Sequence, residues 1–325
     1  MDLADPVRRA ALPALDTLVA TADEGLHPWV RRRVCADERR TALAEELRFW
    51  LCTAAQDLEH ARRYADAAPQ SGEPAEAYLD RWLPLATGGH VLAGPRYLGR
   101  DPDLPFVGVT ASDRVLRPDD AGALREVART EFGAFAPGFV LLSTADDLAG
   151  VASWPGGRPE MRQVVGRLGD LRARPVPPSL TTTPRRDTAF YGEYERIHAE
   201  HVARDPAHAR HTRCEDRDDL RELAEAGLLH DVRVDGTWAG IVAAEADARR
   251  GLHGATVVEL LLDHPFRGAG HGAHLSTLLA RTLPMPNDQY LLGTIHAENV
   301  PAYRAALAAG RVDVGGEVVL PLDPG

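Results

Sequence analysis

The chain has no lysine: all 37 of its Lys and Arg residues are arginine. That removes the phosphate loops that need a lysine, pyridoxal Schiff bases, and any lysine nucleophile. The commonplace cause is a GC-rich genome. The chemical consequence is that no side chain offers a primary amine. Cysteine is scarce too. Cys35, Cys52 and Cys214 lie far apart, which gives neither a disulfide framework nor a paired-cysteine metal site. No apolar run approaches the roughly 20 residues that span a bilayer. The opening MDLADPVRRA lacks the apolar centre of a signal peptide, so a cytoplasmic location and no membrane partner are expected. Positive charge is in deficit, with a formal net charge of −11. A nucleic-acid partner is therefore not expected, and an acidic surface favours a cationic or neutral substrate.

What is present is ordinary for a globular protein. The 325 residues are 44% hydrophobic and 26% charged, enough for about two domains at roughly 100–200 residues each. Residues 1–70 are rich in Ala, Leu, Glu and Arg and read as helical. Leu43, Leu47, Leu51, Ala54, Ala55 and Leu58 recur at helical spacing, which predicts one amphipathic helix over 41–64. Residues 71–178 change character. GHVLAGPRYLG and LPFVGVTAS read as strands, 119–132 as a helix opened by Pro118 and two aspartates, and 139–142 as a strand. The most linker-like stretch is PVPPSLTTTPRR, with room for a hidden strand in 150–187.

Residues 179–325 are the most legible. Helices are predicted over 190–202 and 215–226, the latter stopped by Gly227. A hairpin with an Asp235-Gly236 turn joins 228–234 to 238–246. TVVELLL, 256–262, is an apolar strand with one acid, Glu259. Then come a glycine-rich loop, a helix over 272–283, a strand over 290–296, a helix over 300–309 and a strand over 318–322. The fold class expected is α/β with a mixed sheet.

The loop PFRGAGHGAHL, 265–275, joins a buried strand to a helix with Leu275, Leu278, Leu279 and Leu283 inward. Its glycines let consecutive N–H groups aim at one point, and the helix end adds a positive dipole, a geometry suited to a diphosphate. Gly268, Gly270 and Ala273 satisfy a dinucleotide fingerprint literally. The acid such a site wants about 20 residues on is Asp288, which falls before the next strand, and too little chain remains for further βα units.

Arg267, Gly270 and Gly272 stand in the pattern Arg-x-x-Gly-x-Gly, and TIHAENVPAYRAALAAGR follows as strand, Asn299, helix and Gly310. In these residues and in its element order, 190–322 resembles the GNAT acyltransferase superfamily. The resemblance implies a GNAT-like domain that takes acetyl-CoA as co-substrate and uses no metal. Gly268, Ala269, Gly270, His271 and Gly272 would hold the pyrophosphate, with Arg267 and Asn299 beside them. Leu261 and Leu262 would present main-chain groups to the pantetheine arm. A primary amine of an unidentified acceptor, small molecule or peptide, would attack the thioester directly. A chain without amine side chains would escape its own chemistry.

Many members of the family carry a tyrosine seven residues after the asparagine. This chain has Ala306 there, with Tyr303 about one turn earlier as a substitute acid. The usual Gly-Phe is Gly310-Arg311, and Arg311 is either a substrate-anion contact or a surface arginine. Amine attack also needs a base. Glu259, alone in an apolar strand, is the first candidate and His296, at the end of the next strand, the second. Asp263 and His264 read as turn formers. The pairs His198/His201 and His208/His211 read as solvated helix faces.

Residues 71–178 lack the loop pattern. If they form a degenerate GNAT-like half, it has lost coenzyme A binding and shapes the acceptor cleft. Two other functions stay open. One is a GNAT-fold transferase using aminoacyl-tRNA or an acyl carrier protein as donor. The other is a non-catalytic acyl-CoA-binding or protein-interaction module.

Overall fold

A computed structural model describes residues 12–204 and 214–323. The chain divides into two compact units. The first holds 1–160, 249–251 and 315–325, and the second 161–248 and 252–314. The boundary read from the sequence at 178/179 falls inside the second unit.

In the first unit α1 (Leu15–Glu24), α2 (Pro28–Arg33), α3 (Ala36–Thr53) and α4 (Leu58–Ala67) precede β1 (Arg81–Pro84), β2 (His90–Tyr97) and β3 (Pro105–Ser112). Then come α5 (Ala121–Phe132), β4 (Phe139–Thr144) and α6 (Leu148–Val151). The single helix expected over 41–64 is two. Asp57 accepts the Glu59 N–H at 2.8 Å and so caps a new helix, and a local cap overrides the apolar spacing. Val91 and Ala93 pack with Val107, Leu124 and Val140, whereas Leu92 packs with Leu18, Leu43 and Trp82. Both faces of β2 are thus covered, which is why GHVLAG is apolar without alternating. β2 and β3 are antiparallel, and β3 and β4 are parallel over Phe106–Gly108 and Phe139–Leu141.

The second unit contains α7 (Leu168–Arg172), β6 (Leu180–Pro184), α8 (Tyr191–Arg204), α9 (Arg217–Glu225), β7 (Leu229–Val234), β8 (Thr237–Arg249) and β9 (Leu252–Leu262). It continues with α10 (Gly272–Thr282), β10 (Tyr290–His296) and α11 (Val300–Ala308). Most of β5 (Arg158–Arg167) and the start of β11 (Val312–Pro321) also belong to it. Its strands run β5-β10-β9-β8-β7-β6. β9 and β10 pair in parallel, whereas β10–β5, β6–β7 and β7–β8 are antiparallel. The hairpin turn has Asp235 at φ 48° and Gly236 at φ 78°, the left-handed pair that a two-residue turn needs. Leu168, Leu171, Leu278 and Leu279 form the core on one face of the sheet, and Tyr194, Ile197, Leu220 and Ile241 the core on the other. This is the expected α/β class with a mixed sheet.

β11 begins six residues before the strand expected at 318, because Asp313 and two glycines disguise its start. Asp313 is neutralised by Arg162, and a Cβ on Gly315 would collide with the Thr144 carbonyl. β5 is the strand hidden in 150–187. Its alternation is masked by Arg162, which is 0% exposed and binds Asp313 through two nitrogens at 2.7 and 3.1 Å.

Candidate functional site

β9 and β10 pair only from Gly254 to Thr256 and from Tyr290 to Leu292. Both strands then run on, β9 to Leu262 and β10 to His296, so they part. From Val257 to Leu260 the β9 side chains are half-buried rather than buried, and Leu261 and Leu262 are buried again. Gly254 is fixed by the pairing, since a Cβ there would collide with the Tyr290 carbonyl.

The alternation of β9 slips where the strands part. Ala255 and Val257 pack in the α10 core, and so do Leu260 and Leu262. Val258 and Leu261 pack in the α8 core. Val258 and Glu259 therefore turn to the same face, as in a β-bulge. The slip brings Glu259 to α8, where its Oε2 accepts the Tyr194 hydroxyl at 3.0 Å and lies 3.3 Å from His198 Nε2. Its Oε1 accepts the Leu260 N–H at 3.1 Å.

Tyr194 and His198 were not singled out for chemistry by the sequence. They sit at i and i+4 on the buried face of α8, with ring centroids 4.5 Å apart, edge to face. His198 is 7% exposed, which corrects the solvated face expected for it. The available signal was that Tyr194, Ile197 and His198 share one helical stripe with Phe190. The Glu215 N–H donates to the Tyr194 oxygen at 2.9 Å. Burial first, and then the Glu259 charge, push the Tyr194 phenol far above its ordinary pKa, so it stays a donor. The same two causes, in the same order, raise the Glu215 carboxyl.

The loop leaves β9 through Asp263, whose Oδ1 accepts the His264 N–H at 2.7 Å and caps a 3-10 turn over His264–Phe266. Arg196 of α8 holds the other Asp263 oxygen at 2.7 Å. Arg267 folds back: its Nε donates to the Leu262 carbonyl at 2.7 Å and its Nη1 lies 3.2 Å from His201 Nδ1. Gly268 and Gly270 follow with φ of 81° and 84°. A Cβ on either would meet nothing within 4 Å, so the glycines are there for their dihedrals and the space around them is open. Among the described residues no acceptor takes the N–H groups of Gly268, Ala269, Gly270, His271 or Gly272. These five donors sit at the N-terminus of α10, which has no side-chain cap. The arrangement fits a diphosphate.

The other expected residues have partners elsewhere. Asn299 caps α11, its Oδ1 accepting the Ala302 N–H at 3.2 Å. His296 is buried at the end of β10, with Nδ1 accepting the Glu298 N–H at 3.3 Å. Tyr303 donates its hydroxyl to Asp313 at 2.7 Å, the carboxylate that also binds Arg162. Ala306 is buried. Arg311 is not a surface residue, and among the described residues it has no ion-pair partner. It is 3% exposed, its Nη2 donates to the Val164 carbonyl at 2.8 Å, and its Nε has no partner. Of the two histidine pairs, His208 and His211 lie outside the described residues. No group of three His, Cys, Asp or Glu residues suited to a metal is found among the described ones. No described helix is long and apolar enough to cross a membrane.

No family model matches the chain, and no curated protein does. Solved structures similar to it include a GCN5-related N-acetyltransferase from Sphaerobacter thermophilus, with TM-score 0.49 and 13% identity over 82% of this chain and 92% of that one. An acetyltransferase of the GNAT family from Colwellia psychrerythraea is similar at TM-score 0.45 and 12% identity, over 70% of this chain and 84% of that one. A GCN5-related N-acetyltransferase from Kribbella flavida is similar at TM-score 0.43 and 17% identity, over 83% and 96%. The likeness is one of fold.

Proposed function

We propose that the second unit is an N-acetyltransferase moving the acetyl group of acetyl-CoA to a primary amine. The observation that carries this reading is the row of five unpartnered N–H groups from Gly268 to Gly272, set at a helix N-terminus beside the parted end of β9. Donors without acceptors, beside open space at Gly268 and Gly270, suit the pyrophosphate. The main chain of β9 beyond Thr256, freed from β10, suits the amide groups of the pantetheine arm.

Glu259 stands on that same length of strand and serves as base. The neutral amine nitrogen attacks the thioester carbonyl, a C–N bond forms and the C–S bond breaks. The proton lost by the amine goes to Glu259 and leaves with the thiol, so amine plus thioester gives amide plus thiol. A carboxylate cluster of Glu259 and Glu215 suits an acceptor that arrives as an ammonium ion, which releases one proton to solvent before the neutral amine attacks.

A second reading has one observation in its favour. Ala306 occupies the family's tyrosine position, and the Tyr303 hydroxyl is engaged by Asp313. A module that binds acyl-CoA without turnover would tolerate both. Transfer from an acyl carrier protein or an aminoacyl-tRNA would leave the five donors without a diphosphate to hold.

The deciding experiment pairs calorimetric titration of acetyl-CoA with thiol-release assays on a panel of primary amines. Binding together with amine-dependent thiol release supports the transferase. Binding without release supports the module. No binding by folded protein removes acetyl-CoA as the donor.

A further inference from the structure

The two oxygens of Glu259 stand in unlike surroundings. Oε2 receives the Tyr194 hydroxyl and faces His198 Nε2, whereas among the described residues Oε1 receives only a main-chain N–H, that of Leu260 in the half-buried part of β9. The Tyr194 proton has its direction fixed, because the Glu215 N–H occupies the phenol oxygen from the other side. His198 is fixed by burial and by its edge-on contact with Tyr194.

His198 Nδ1 is buried and has no partner among the described residues. Leaving a buried polar atom unpaired costs about 1–3 kcal/mol. A ring that served only to fill space would be replaced by leucine without that cost. The orphan also indicates the tautomer. A carboxylate opposite Nε2 favours hydrogen on Nε2, which leaves Nδ1 as a bare lone pair rather than a stranded N–H.

We propose that His198 is a positioning residue for Glu259. Its Nε2–H, together with the Tyr194 hydroxyl, saturates Oε2 and leaves Oε1 as the oxygen that receives the amine proton. His198 acts through Glu259 and does not touch the substrate. The assignment rests on the acyl-transfer reading and adds to it the choice of oxygen.

The test uses the full chain, acetyl-CoA, and the best amine found for the wild type. Glutamine carries an N–H near the place of imidazole Nε2, and leucine carries none. Because a positioned base is worth about 10²–10⁴ in rate, His198→Leu is expected to lower kcat at least about tenfold. KM for acetyl-CoA stays within about threefold, and His198→Gln recovers most of kcat. Nitrogen-15 NMR of wild-type His198 is expected to show the Nε2–H tautomer, a readout independent of turnover.

An Nδ1–H ring overturns the assignment. So does a leucine variant as fast as the wild type, or a glutamine variant as slow as the leucine one. Calorimetric acetyl-CoA binding by each variant shows that it has folded. A wild type that transfers to no amine fails differently: it overturns the acyl-transfer reading, and the positioning role with it.

Discussion

Gly270→Ala separates the loop's work from the fold's. Gly270 has φ 84°, and a methyl group there would meet nothing within 4 Å. The penalty is therefore conformational, about 1–2 kcal/mol if the alanine stays left-handed. The loop is exposed from Gly268 to Gly270, so the residue escapes by returning to negative φ, and little stability is lost. Returning re-aims the peptide groups on either side of Gly270, N–H included. A hydrogen bond to a charged group is worth about 1.5–3 kcal/mol, so losing one weakens acetyl-CoA binding by about 10- to 150-fold. Gly254→Ala is the contrast, since its Cβ would strike the Tyr290 carbonyl inside the β9–β10 pairing. That variant is expected to lose several kcal/mol of stability. Calorimetry and thermal unfolding on both variants decide the matter. A Gly270→Ala protein that binds acetyl-CoA like the wild type refutes the diphosphate loop, and one that fails to fold refutes the separation.

Three other perturbations follow from described contacts. Tyr303→Phe removes one hydrogen bond to Asp313, so urea unfolding should show a loss of about 0.5–3 kcal/mol; a large fall in kcat at unchanged stability would make Tyr303 an acid instead. Arg311→Met removes a buried cation that has no carboxylate partner among the described residues, and its stability should stay level or rise, by up to about 1–4 kcal/mol; a steep fall in melting temperature would show that the bond to the Val164 carbonyl outweighs burial. Burial raises the Asp120 carboxyl, but Arg114, Thr87 and the Arg117 N–H outweigh it and hold the pKa at about 2. Its contribution to stability is present above pH 3.8 and is lost as pH falls toward about 2, so acid titration of Asp120→Asn should lack that part of the decline.

Strand β10 was legible to the residue, α10 to within one residue and the hairpin to within three, because their apolar periods and glycines serve one purpose each. Legibility failed where a polar group is satisfied at long range. Arg162 in β5 and Asp313 in β11 look like loop residues until they meet across 151 positions of sequence. His198 looks solvated until Glu259 arrives from β9, 61 positions away. Glu259 itself stood out as a lone acid in an apolar strand. The slip that turns it toward α8 did not, since it shows only in which core each neighbour joins. Arg311 was placed correctly after Gly310, but the burial that deprives it of a ligand comes from packing alone.

The first unit, like the second, has a parallel strand pair with a helix between its strands in the chain. β3 lies parallel to β4 and is followed by a turn and a helix, as β9 is followed by α10 and β10. At the start of α5, however, the Asp120 carboxylate, 2% exposed, already takes the Arg117 N–H at 2.8 Å and both terminal nitrogens of Arg114. The chain has supplied its own anion there. A diphosphate approaching that helix would meet a like charge in the Asp120 carboxylate, whereas the residue at the same place before α10 is His271. Under the acyl-transfer reading, calorimetric titration of the whole chain with acetyl-CoA is therefore expected to saturate at one molecule per chain.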